Sequence, residues 1–172
     1  MTKQSLDQQW DQLRQKYSAY LQLLEAIPSD RYHSHLVPGM CTPAELVVQM
    51  SACIVKDIAQ GVAKGEIKTD ETAEARIVAD LGTKMAVIDY ARRCWSLAED
   101  AVSTIGSEQL NAIVHTPWNT SVPGWVGFNI LNDEFLNHYG QLYTYARLCG
   151  AAEEQPSVSG FTESVPQYRF AD

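Results

Sequence analysis

Glu134 and His138 stand four residues apart in the segment DEFLNHYGQL, the spacing at which two helical side chains point the same way. A carboxylate and an imidazole so placed are both able to bind zinc or a related cation. A cation held there would polarise a bound water or thiol. Both residues fall on the line of Leu131, Leu142, Tyr145 and Cys149, so both are expected on the face that the helix buries. The same pair also reads as a metal-free polar cluster. An unpaired buried carboxylate costs several kcal/mol, so Glu134 would then need partners, and a protonated His138 would neutralise it.

Other residues with chemical potential are more scattered. Cys41, Cys53, Cys94 and Cys149 form no CxxC pair, and three of them sit in apolar helical patterns as small hydrophobes. His33-Ser34-His35 lies in a turn-rich loop and reads as solvated, while His115 lies in a second long connection that is able to approach the same end of the fold. Asp57, one turn after Cys53, is expected to pair with Arg92 or Arg93. Tyr143 and Tyr145 read as packing residues, and Trp118 and Trp125 as closing the core where the last helix begins.

These residues need helices to position them. Leu6, Trp10, Leu13, Tyr17, Tyr20, Leu24 and Ile27 recur in alternating steps of three and four, the seam of a bundle helix over residues 5–26 that Pro28 stops. A second helix opens at Thr42, with Pro43 in its first turn and Glu45 completing a capping box, and is expected to run to about Gly61 with Leu46, Met50, Cys53 and Ile54 inward. A third is expected from about residue 71, capped by Asp70, to 104, with Lys84 the one break in its seam. At ~1.5 Å per residue that helix would span roughly 50 Å. A connection with one helical turn near residues 107–110 leads to a fourth helix from Pro123 to Gly150.

No strand pattern is found, and the economical architecture is an all-α four-helix bundle over residues 1–155. The long first and third connections allow crossovers and an up-up-down-down order. Residues 156–172 read as an irregular tail that Phe161, Tyr168 and Phe170 pin to the bundle.

The fourth helix also carries a resemblance. HYGQLYTYARLCG, residues 138–150, resembles the H-R-G-Q-L-x-x-Y-L-R-x-x-G signature of the DinB/YfiT-like bundles, and PGMCTPAELVVQMSA resembles the segment that opens their second helix. SEQLNAIVHTPW is similar to their link between the third and fourth helices. The resemblance implies a crossover bundle, often dimeric. In many members three histidines hold a divalent metal, one from the second helix and two from the fourth. Those positions fall here on Gln49, Glu134 and His138, so only His138 keeps the family residue. Zinc or nickel is the cation the resemblance implies. Some relatives are thiol-dependent transferases or isomerases. Gln49 offers a cation only a neutral amide oxygen, but it offers a buried carboxylate two N–H donors. The departures fit a metal-free network at least as well as a metal site.

Composition bounds the partners. The chain has 172 residues, 45% hydrophobic and 20% charged, with a net charge of −8, so a nucleic-acid backbone would be repelled. No apolar run is read as approaching the ~20 residues of a membrane span, and the polar start MTKQSLDQQW has no signal-peptide core. The expectation is a cytoplasmic homodimer, metal-poor or metal-free, that binds a small molecule or a protein partner. A metal-dependent enzyme of the thiol-transferase kind is the alternative.

Overall fold

The computed structural model describes residues 1–151, so the expected tail with Phe161, Tyr168 and Phe170 lies outside the described residues. Four long helices form the bundle: α1 (Lys3–Ala26), α2 (Pro43–Lys64), α4 (Lys84–Thr104) and α6 (Gly124–Leu148). Between them lie the shorter helices α3 (Glu71–Asp80) and α5 (Ser107–Asn111) and an antiparallel hairpin, β1 (Ile113–His115) with β2 (Ser121–Pro123). The seven seam residues expected on α1, from Leu6 to Ile27, are all buried. Thr42 and Glu45 cap α2 reciprocally, with Glu45 N donating to Thr42 Oγ1 at 3.2 Å and Thr42 N donating to Glu45 Oε2 at 2.6 Å.

Contacts between the long helices set their directions. Trp10 meets Phe128 and Tyr17 meets Phe135, so α1 and α6 run parallel. Lys3 donates to Val102 O, Tyr17 to Ala91 O and Lys84 to Ile27 O, so α4 runs antiparallel to α1. Helix α2 starts beside the end of α1, where Ala44 N donates to Tyr32 O. Its far end meets the start of α6, with Val62 against Gly124 and Gly127. The all-α four-helix bundle stands as expected, but its order is up-down-down-up rather than up-up-down-down. The first connection folds straight back, and the crossover is made by residues 65–83, which carry α3.

Four further local expectations are corrected. Helix α2 continues past Gly61 to Gly65, which ends it with φ +86° in the left-handed region. Gly61 is needed for close approach, because a Cβ there would stand 2.5 Å from Ile67 Cγ1. The single long helix expected over 71–104 is broken at residues 81–83, where Thr83 caps α4 by accepting from Ala86 N. Lys84 interrupts the apolar seam because its ammonium bonds the carbonyls of Glu25 and Ile27 at the end of α1. Strands are present after all. The hairpin is three residues on each side, too short to show a period, and it is stitched to the rest by Ile67 N to His115 O at 2.8 Å and His115 N to Gly65 O at 3.0 Å. Trp118 is 53% exposed and Trp125 is also exposed, so neither closes the core.

Helix α2 is distinctive in two respects. By length and composition it is apolar enough to cross a bilayer, with a mean hydropathy of 1.3 over its most apolar window, contrary to the expectation that no segment is. Here 67% of that window is buried in the bundle, which explains the composition. Its middle, Gln49–Asp57, is wound as a π-helix of nine residues. Such segments are rare and concentrate at functional sites.

Candidate functional site

The π segment of α2 and the facing turns of α6 carry the three residues singled out by the sequence. On α6 the buried positions are Gly124, Gly127, Phe128, Leu131, Phe135, Leu142, Tyr145 and Ala146. His138 lies on this stripe with its side chain 12% exposed, but Glu134 stands at the stripe's edge, 49% exposed. The expectation of a buried carboxylate is therefore corrected, and water supplies most of the solvation that partners would otherwise have to provide.

The two side chains meet. His138 Nδ1 lies 2.8 Å from the carbonyl oxygen of Glu134 and 3.6 Å from its Oε2. A carbonyl only accepts, so Nδ1 carries a proton and Nε2 is the ring nitrogen left unengaged among the described residues. Metal-binding imidazoles are commonly oriented in this way. The carboxylate, however, sits beside Nδ1, the nitrogen already engaged, and not beside Nε2. Gln49 opens the π segment of α2, which packs against α6, the two helices running antiparallel with Val62 at Gly124 and Gly127. Among the described residues Gln49 hydrogen-bonds neither Glu134 nor His138, so the amide-to-carboxylate network is not made. One imidazole nitrogen, one half-exposed carboxylate turned to the other ring nitrogen and one amide do not fit a tight three-donor cation site.

A second site lies further along the same π segment. An open cleft of about 620 Å³ is walled by α2, the 66–70 connection, α3 and the hairpin, and none of Gln49, Glu134 or His138 lines it. On its α2 wall Cys53 donates its thiol hydrogen to Glu74 Oε1 of α3 at 2.6 Å. Burial, followed by the hydrogen bond and charge of Glu74, pushes the Cys53 thiol far up, so it stays protonated and is no thiolate nucleophile. Burial likewise raises Cys94, whose hydrogen bond with Tyr90 acts in the opposite direction.

Asp57 pairs with its neighbour Lys56 at 2.8 Å rather than with Arg92 or Arg93, while Arg92 reaches Glu25 and Asp89. His115 lines the hairpin wall, and its Nδ1 lies 3.0 Å from Ser121 Oγ. It is thus far along α2 from Gln49, not at the same end. His33 and His35 are exposed, and His35 Nδ1 donates to Met40 O at 2.8 Å. Sequence reasoning singled out Cys53, Asp57 and His115 separately but missed Glu74 and Lys56. The unequal turn of the π segment and the crossover bring these five together, and neither leaves a mark in helical periodicity.

Comparison with known proteins supports the architecture. No family model matches the chain, and no curated protein matches it. Among solved structures, the fold is similar to that of the DinB-like protein YjoA from Bacillus subtilis, with a TM-score of 0.63 and 17% sequence identity. The match covers 79% of this chain and 87% of that one. The chain therefore has a DinB-like fold.

Proposed function

We propose that this chain is a small-molecule-binding protein on a DinB-like bundle, metal-poor at the position where DinB/YfiT-like proteins hold a cation. The observation that carries the reading is the 620 Å³ cleft, lined by charged and polar side chains together with apolar ones such as Ala73 and Ile77, which falls within the size of ordinary ligand sites. In this reading the protein works in the cytoplasm as a homodimer, without nucleic acid or membrane. Light scattering then gives twice the chain mass, and a monomer at all concentrations would refute the assembly.

A metal-dependent enzyme of the thiol-transferase or isomerase kind is the second reading. The orientation of His138 favours it, with Nδ1 bonded to the Glu134 carbonyl and Nε2 unengaged among the described residues. Metal content separates the two. Protein purified without chelator or polyhistidine tag is expected to hold zinc or nickel weakly or not at all. Gln49→His combined with Glu134→His should then create a three-histidine site, and added zinc should raise the melting temperature of the double variant but not of the parent. Tight stoichiometric metal in the parent would overturn the metal-poor reading. Failure of a small-metabolite panel to shift the melting temperature or the amide spectrum would overturn ligand binding.

A further inference from the structure

We infer that the cleft between α2, α3 and the hairpin receives a small aliphatic amine, its ammonium held by Glu74. This inference rests on the small-molecule reading above and names the ligand class.

Most charged side chains around the cleft are already engaged. Lys56 is engaged by Asp57 at 2.8 Å and Lys68 by Glu66 at 2.9 Å. Asp70 caps α3 by accepting from Ala73 N at 3.0 Å. Glu74 remains. It is partly buried, and among the described residues its one side-chain partner is the Cys53 thiol. A thiol is a weak donor, whereas a carboxylate has about four acceptor positions. No cationic side chain within ion-pair distance neutralises Glu74 among the described residues. Both lysines of the cleft are already matched, so the wall of α3 keeps an uncompensated negative charge in a partly desolvated place.

That arrangement disfavours an anionic ligand and leaves a neutral one without a strong partner. An ammonium supplies the three donors and the positive charge that the thiol does not. Ala52, Ala73 and Ile77 line the same cleft and present apolar surface beside Glu74, so a short aliphatic body is accommodated next to the charged head. The high energetic cost of ionising the Cys53 thiol keeps it a donor to Glu74 rather than a competing anion. The ligand is thus a small alkylamine, and no covalent step is involved.

The test uses n-butylamine as probe, with n-butanol and butyrate as matched neutral and anionic controls, followed by amide chemical-shift titration of the full chain. Butylamine is expected to shift residues of the 66–74 segment and His115, and butanol and butyrate to bind at least about tenfold more weakly. Glu74→Gln keeps an oxygen for the Cys53 thiol and should weaken butylamine by about tenfold or more. If that variant does not fold, the parent titration decides alone: shifts confined to other surfaces, or none at millimolar amine, overturn the inference. Unchanged butylamine binding in a folded Glu74→Gln variant also overturns it. If butanol or butyrate occupies the cleft and butylamine does not, the amine class falls while the small-molecule reading stands.

Discussion

The Tyr17 hydroxyl donates to Ala91 O at 2.8 Å from inside the core, and Tyr20 shares a 3.0 Å hydrogen bond with Ser51. Burial pushes both phenols well above their ordinary value of 10.0, because the phenolate has nowhere to be solvated. A group whose folded pKa is raised contributes stability that is complete below the unfolded pKa and is lost as pH rises beyond it. For these tyrosines the loss starts near pH 10, when unfolded chains begin to ionise and the native state does not. Tyr17→Phe should cost about 1 kcal/mol near neutral pH, where one hydrogen bond is removed. By about pH 11 the parent is penalised and the variant is not, so the gap should narrow. Urea denaturation at both pH values checks this, and a constant or widening gap would mean that Tyr17 is not held away from solvent.

At the scale of elements, two glycines on long helices make opposite demands. An ideal Cβ at Gly61 would meet the side chain and backbone of Ile67 at 2.5 and 2.6 Å, whereas nothing lies within 4 Å of one at Gly140. Gly61→Ala should therefore destabilise by about 1–3 kcal/mol, because backbone must move to admit the methyl group. Gly140→Ala, in the middle of α6, should stabilise by up to about 1 kcal/mol through helix propensity alone. Equal effects in chemical denaturation would contradict the packing of the 65–67 connection on α2. The pair also shows why legibility was uneven. The α1 seam, the Thr42–Glu45 box and the Pro123-to-Gly150 limits of α6 are local in sequence, and they were readable. The reach of Gly61 to Ile67, the hairpin bonded to Gly65 and Ile67, and the π winding of Gln49–Asp57 depend on partners distant in sequence or on a change of turn. At the candidate site, the meeting of Glu134 and His138 followed from their spacing. The exposure of Glu134 did not, because a position at the edge of a stripe is only defined once the neighbouring helices are in place.

The bundle is densely packed, and α3 lies on its flank with more of its surface exposed. Aromatic rings tie the bundle together, with Trp95 stacked on Trp10 at 4.8 Å and on Tyr17 at 4.3 Å, and Phe135 against Tyr17 at 5.9 Å. None of the described side chains of α3 is fully buried; Ile77 and Val78 touch the core only partly, and Cys53 to Glu74 is the side-chain hydrogen bond that joins α3 to α2. Local opening free energy follows buried contacts, so α3 should open well below the global unfolding free energy. Hydrogen exchange should then show α3 amides exchanging before those of α2 and α4. Cys53→Ala removes a bond of about 1 kcal/mol, and should speed exchange in α3 several-fold while leaving α4 unchanged. An α3 that exchanges only with the bundle would show that it is part of the core. Because α3 is one wall of the cleft, a bound molecule bridging Glu74 to α2 would have to slow that exchange. Slower α3 exchange on addition of butylamine would therefore report binding in the cleft without any assay of activity, and unchanged exchange at saturating amine would count against it.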